Sequence, residues 1–310
     1  MKPYAVTDLN NDGFKGYFFT SKEKSDKCLI VLLGDKGNDF LSLSFAKWIT
    51  KVQKCNALCI GIEQENNSEH GLHNWKIEYA ESAVKWLNSN SIKKIGIIGL
   101  SMGAAMALVS ASFIADISLV IALSPCDFIP WGFYQGRLGK SSNAEWPSET
   151  SSFSWRGEEL PFQPAMLKKE DYWNMYLNDR KKYKEIHTRN IFDYSERHSP
   201  ITKDKFIKVE NIKGKLVIAA AEDDSMWNSL KYTERIENRL KEKKADNITY
   251  IYKYKFGTHL IVPESLLKGA VPLFGDLITK MYVSGKTHSA ECKQSRTDLD
   301  TKISPIIKNW

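Results

Sequence analysis

The chain lacks any apolar window long enough to cross a membrane, and its first residues, Met1-Lys2-Pro3-Tyr4-Ala5-Val6-Thr7-Asp8, lack the uninterrupted apolar stretch of a secretion signal. A cytoplasmic location is the expectation. Cysteine is scarce: Cys28, Cys55, Cys59, Cys126 and Cys292 form an odd set with no framework spacing. Only Cys55 and Cys59 lie close together, in a stretch that reads as strand, so buried free thiols are expected rather than a metal knuckle. No internal repeat is visible, and no Pro-, Gly- or Ser-rich linker divides the chain, so residues 1–310 read as one domain. No His/Cys/Asp cluster has metal-ligand spacing, and neither a metal nor a cofactor is implied. The net charge of +7 is accompanied by no nucleic-acid-binding motif. Lys168, Lys169, Arg180, Lys181, Lys182 and Lys184 alternate with Glu170, Asp171, Asp179 and Glu185, the mixture of a solvated face.

What is present is a globular composition, 42% hydrophobic and 26% charged, enough for one sizeable core. Short, nearly continuous apolar runs occur at Cys28–Leu33, Ala57–Ile62, Ile95–Leu100, Ile117–Leu123 and Leu216–Ala221. Such runs mark strands covered on both faces, hence a parallel sheet. Helical patterns alternate with them: Ile77, Ala80, Ala83, Val84 and Leu87 share one face, and Met102–Phe113 is rich in Ala and Leu. Leu230–Lys241 predicts a further helix, Ile248–Tyr254 a further strand, and Thr297–Lys308 a closing helix. From Asp127 to Lys208 no convincing strand is visible. This excursion nevertheless holds Trp131, Phe133, Tyr134, Trp146, Phe153, Trp155, Phe162, Tyr172, Trp173 and Tyr176. Two readings stand side by side: aromatics that anchor an irregular excursion, or a lid-like insertion over 127–208 that helps form an apolar pocket.

One strand runs directly into a motif. Ile95–Leu100 leads to Gly99-Leu100-Ser101-Met102-Gly103 and then a helical pattern, the strand-turn-helix context of a nucleophile elbow. The hydroxyl would project above the sheet at a helix N-terminus, where a developing anion is favoured. A serine needs a base and a carboxylate, in the chain order Ser, Asp, His. Of the six histidines His259 is best placed, in Phe256-Gly257-Thr258-His259 directly after a strand. His70, His73, His187 and His198 read as loop or surface residues, with His288 a reserve. Leu216–Ala221 ends in Glu222-Asp223-Asp224, which makes Asp224 the candidate acid and Asp223 its fallback. The oxyanion donors would be the backbone N–H of Met102 and, after Leu33, that of Asp35, with Lys36 as substitute. The Asp35 carboxylate should then point away from the oxyanion. These features predict an α/β-hydrolase fold: a mostly parallel central sheet flanked by helices, with an irregular aromatic-rich insertion.

With these residues placed, the chain resembles the C-terminal catalytic domain shared by acyl-CoA thioesterases and bile acid-CoA:amino acid N-acyltransferases, from about Cys28 to the end. The marks are the elbow followed by Ala111-Ser112-Phe113, the segment Ser154-Trp155-Arg156-Gly157-Glu158-Glu159-Leu160-Pro161, Asp223-Asp224-Ser225-Met226-Trp227, and Gly257-Thr258-His259-Leu260-Ile261-Val262-Pro263. Two departures stand out. The 27 residues before Cys28 are too few for the N-terminal β-sandwich of well-known members, and the stretch Trp131 to Trp146 looks longer than the family's loop. The resemblance implies a split by nucleophile, cysteine in the amino-acid-conjugating branch and serine in the thioesterases. Ser101 therefore implies acyl transfer to water, and a role in lipid metabolism. The expected partner is a small acyl ester or thioester. Trp131, Trp155 and Trp227 are the candidate substrate-binding side chains, and the excess positive charge would suit an anionic substrate such as a coenzyme A ester. A carboxylesterase or dienelactone-hydrolase-like enzyme on small oxygen esters, and a non-catalytic binding protein of the same fold, are the alternative readings.

Overall fold

The computed structural model describes residues 2–65, 71–134, 146–270 and 278–310. His70 and residues 135–145 of the excursion lie outside them. Along the chain come β1 (Ala5–Thr7), α1 (Leu9–Asp12), β2 (Gly16–Phe19), β3 (Lys27–Leu32), α2 (Phe40–Lys51), β4 (Asn56–Ile60), β5 (Gly71–Leu72), β6 (Trp75–Lys76), α3 (Glu78–Ser89), β7 (Lys94–Leu100), α4 (Met102–Phe113) and β8 (Ile117–Leu123). The excursion follows with β9 (Trp131–Tyr134), β10 (Trp146–Ser151), β11 (Phe153–Trp155), β12 (Glu158–Glu159), α5 (Lys169–Tyr183) and α6 (Arg189–His198). The chain closes with β13 (Lys215–Ala221), α7 (Ser229–Glu242), β14 (Thr249–Tyr254), α8 (Glu264–Ala270), α9 (Val283–Thr287) and α10 (Ser289–Asn309).

The principal sheet has eight strands in the order β1-β2-β4-β3-β7-β8-β13-β14. From β4 to β14 every pairing is parallel, while β1 and β2 add an antiparallel edge. The continuous apolar runs are explained by burial on both faces. Cys28, Ile30 and Leu32 of β3 join the layer containing Ala80, Leu87, Ala104, Leu108, Tyr232 and Ile236, from α3, α4 and α7. Leu29 and Val31 join the opposite layer, with Phe45, Trp48 and Ile49 of α2, Leu266 of α8 and Leu299, Ile303 and Ile307 of α10. All five cysteines are buried and free.

The excursion differs from its sequence reading. Its described residues contain four short strands, two of which also take partners from earlier in the chain: β9 pairs with β5 as well as β10, and β11 pairs with β6 as well as β12. Strands of two to six residues borrowed from distant segments carry no local alternation to recognise. The excursion also has an apolar centre of its own, in which Trp131, Leu167 and Ile191 are buried against Phe162, Tyr172, Tyr176 and Phe192.

Candidate active site

The turn from β7 into α4 is set by its glycines. A Cβ on Gly103 would lie 1.9 Å from the carbonyl oxygen of Leu32, and one on Gly99 would lie 2.0 Å from that of Gly103. The helix therefore starts directly against the end of β3, and no larger residue fits at either place. Between them Ser101 takes φ 60° and ψ −126°, a conformation that costs a non-glycine residue roughly 1–3 kcal/mol and is held here by its surroundings. Its N–H donates to Leu123 O at 2.9 Å, its carbonyl accepts from Ala104, and its hydroxyl makes no cap to its own helix.

The Glu222-Asp223-Asp224 turn leaves β13 and divides its work. Both oxygens of Asp224 lie 2.9 Å from His259 Nδ1, and Oδ1 also accepts the N–H groups of Met226 at 2.9 Å and Trp227 at 3.3 Å. Asp223 turns to the loop instead, its Oδ1 accepting Gly257 N–H at 2.9 Å and Thr258 N–H at 2.8 Å. Burial pushes its carboxyl above the usual range, against the pull of those two amides. The structure thus pairs His259 with Asp224, while Asp223 fixes the backbone just before the histidine, where Thr258 has φ 58°. Because Nδ1 faces a carboxylate it carries the proton, which leaves Nε2 as the basic nitrogen. Nε2 is buried and has no hydrogen-bond partner, the Ser101 hydroxyl included.

Ser101 and His259 are held to consecutive residues of one strand end. Leu123 O accepts the Ser101 N–H, and the Ser124 hydroxyl donates to His259 O at 2.9 Å. The Ser124 backbone carbonyl accepts the Trp227 indole N–H at 3.0 Å, and the Trp227 ring meets the imidazole edge-on at 5.5 Å between centroids. Ser124 was not among the residues singled out from the sequence. Its one local signal is a small polar residue ending the strand beside the nucleophile strand.

The loop after β3 packs on the same rim. Gly34 has φ +73°, and a Cβ placed on it would lie 3.6 Å from Met102 Cβ. Asp35 turns its carboxylate away from the rim, onto Gly37 N–H and the Ser42 hydroxyl, and burial raises its pKa. The Lys36 N–H is already engaged by the Asp39 carboxylate at 3.1 Å.

The three tryptophans fall in different places. Trp227 is buried behind His259, and Phe192 meets it edge-on at 5.3 Å. Trp131 stacks on Phe192 at 4.7 Å. Trp155 is not part of this cluster: it packs on Phe113 at the last turn of α4 and under the Arg156 guanidinium, whereas Ser101 precedes the first turn. Twelve helical residues separate the two ends by about 18 Å. Among the described residues no three His, Cys, Asp or Glu side chains are grouped to hold a metal, and no helix is long and apolar enough to cross a membrane.

A family model described as BAAT / acyl-CoA thioester hydrolase C terminal matches residues 75–268, a span that contains Ser101, Ser124, Asp224 and His259. No curated protein matches. Similar solved structures include an esterase of Pyrococcus furiosus, 16% identical over 89% of this chain and 87% of that one, with a TM-score of 0.47. A second is Est1E from Butyrivibrio proteoclasticus, 14% identical over 93% and 98% of the chains, TM-score 0.44. A third is a thermostable esterase from Pseudomonas putida, 13% identical over 93% and 78%, TM-score 0.47. At these scores the fold assignment rests on the sheet order and the family match.

Proposed function

The chain belongs to the BAAT / acyl-CoA thioester hydrolase C-terminal family of α/β-hydrolases, and from that premise we propose that it cleaves acyl-CoA or related thioesters through an acyl-Ser101 intermediate. His259 Nε2 takes the proton of the Ser101 hydroxyl as Oγ bonds to the thioester carbon. The carbonyl oxygen becomes an oxyanion held by the N–H groups of Met102 and Asp35. On collapse the carbon–sulfur bond breaks, and the imidazolium returns its proton to the departing thiolate. Water then loses a proton to Nε2 and attacks the acyl-serine, which releases the carboxylic acid and restores Ser101. Asp224 orients the ring and stabilises it while it is charged.

The observation that carries this reading is the buried Asp224–His259 pair, with Nε2 unengaged at the rim where the strained Ser101 turn ends β7. Beside that rim Trp131 and Phe192 of the insertion, together with Trp227 from the turn after β13, form an aromatic wall. Purified protein is to be incubated with acyl-CoA esters of increasing chain length and the released thiol trapped. Release that disappears in Ser101→Ala is the expected result, and release equal to that of the variant removes the proposal. Matched oxygen esters belong in the same assay, because the same three side chains serve either bond; a higher kcat/KM on them reassigns the leaving group.

A further inference from the structure

The turn that bears Asp224 leaves the sheet with carbonyls that no strand can satisfy, and the insertion satisfies them. Two consecutive residues at the start of α6, its N-cap Thr188 and its first residue Arg189, do most of this. Arg189 Nη1 donates to Glu222 O and Asp224 O, both at 3.2 Å. The backbone N–H groups of Thr188 and Arg189 donate to Ser225 O at 3.1 and 3.0 Å, and the Thr188 hydroxyl donates to Met226 O at 2.6 Å. In the opposite direction the Ser225 hydroxyl donates to Ile186 O at 2.9 Å. Carbonyls at 222, 224, 225 and 226 are thus all held from 188–189. Within the turn itself, Asp224 N–H reaches Ala221 O only at 3.4 Å. A buried carbonyl deprived of its partner costs roughly 1–3 kcal/mol, so the turn follows the residues that satisfy it.

We propose that Thr188 and Arg189 are positioning residues that hold Asp224 against His259 from within the insertion, an inference that rests on the serine-hydrolase reading above. The insertion then has two jobs. Its aromatic side faces the rim, and its α5–α6 junction keeps the carboxylate in line with Nδ1. The guanidinium adds a positive charge beside the turn, only 28% of that side chain being exposed.

The test compares Thr188→Val, Arg189→Met and Arg189→Lys with the parent enzyme and with each variant combined with Asp224→Asn. It reads kcat and KM on the best ester or thioester and the rate at which a fluorophosphonate labels Ser101. A carboxylate displaced by a fraction of an ångström is expected to lower kcat and labelling by about 10- to 100-fold in Arg189→Met, with KM changed by less than about twofold. Arg189→Lys, which keeps the charge and can reach one carbonyl, should fall between. In the Asp224→Asn background the same changes should cost less than about twofold, since no carboxylate remains to be held. Equal losses in both backgrounds, or a rise in KM at constant kcat, overturn the inference. Thr188→Val removes one hydroxyl without altering shape, and its outcome decides if Arg189→Met does not fold. If the parent labels and turns over while Thr188→Val and Arg189→Met match it, the positioning role alone fails. If the parent never labels, the serine-hydrolase reading fails and takes this inference with it.

Discussion

The parallel sheet and the insertion meet at the same rim but are held together by different means. The strands β3, β7, β8 and β13 are buried on both faces and bonded to one another along their length, so their ends are fixed by the backbone ladder. The insertion has strands of two to six residues, a helix α5 with only Asp179 buried, and many bonds from side chains to carbonyls. The sheet places Ser101 and the start of the Asp224 turn to within a rotamer. Orientation of the carboxylate is left to the softer region, where single side chains decide it.

The largest effects separate residues that touch the reacting atoms from those that support them. Ser101→Ala or His259→Ala should lower kcat by on the order of 10⁶-fold, and Asp224→Asn by about 10⁴-fold, measured as initial rates on one ester. Phe192→Leu, in the insertion, should shift chain-length preference by about 10-fold or less, as expected of one hydrophobic contact. A loss in Phe192→Leu as large as that in Asp224→Asn would erase the distinction between the two regions.

Two glycines offer the same contrast in stability. Gly103→Ala puts a Cβ 1.9 Å from the Leu32 carbonyl inside the rim, and a loss of more than about 3 kcal/mol is expected in denaturant unfolding. Gly157, in the turn between β11 and β12, has φ +83° with nothing within 4 Å of a built Cβ, so Gly157→Ala should cost only the left-handed backbone strain of about 1–2 kcal/mol. Equal costs would mean that the rim relaxes as readily as the insertion.

The neighbouring acids come next. Asp223→Ala leaves the Gly257 and Thr258 amides unpaired and should reduce kcat about 10-fold through loosening of the His259 loop. Asp223→Asn, which keeps an acceptor oxygen for both amides, should be nearly silent. If Asp223→Asn proves as damaging as Asp224→Asn, the division of labour between the two carboxylates is wrong.

The sheet was legible because double burial writes itself as runs such as Ile-Gly-Ile-Ile-Gly-Leu and Leu-Val-Ile-Ala-Ala-Ala, whose ends differ from the structure by a residue or two. The elbow was legible because its steric demand admits only small residues on either side of Ser101. Spacing alone could rank three consecutive acids but not separate their partners; the folded turn gives His259 to Asp224 and the loop amides to Asp223. The insertion was opaque for a physical reason. Phe153 pairs with Trp75, 78 positions earlier, so neither segment shows a pattern by itself. Aromatic content pointed to Trp155 and Trp131 equally, and composition holds no record of which end of α4 an aromatic ring packs against. Thr188 and Arg189 carry no motif at all, since their work is to satisfy carbonyls of a turn formed by residues 222–226.

Thiol chemistry probes the same contrast with the smallest perturbation. Cys28 and Cys59 lie in the sheet, whereas Cys126 sits where the chain leaves β8 for the insertion; all are fully buried, and burial pushes each thiol well above its ordinary range. Cys55 and Cys292 are pushed up to about 11, so at pH 8 only about one molecule in a thousand would carry either as thiolate. The raised values favour the unreactive thiol, and an aromatic disulfide reagent at pH 8 should therefore leave all five unmodified in the folded enzyme and label five after denaturation. Below the unfolding midpoint the order becomes informative. Cys126 should label before Cys28 and Cys59, because opening the insertion breaks side-chain bonds and an aromatic stack, whereas exposing β3 or β4 requires parting the ladder. Simultaneous labelling of the three would show that sheet and insertion unfold as one unit, with the Thr188–Arg189 junction tying them into it.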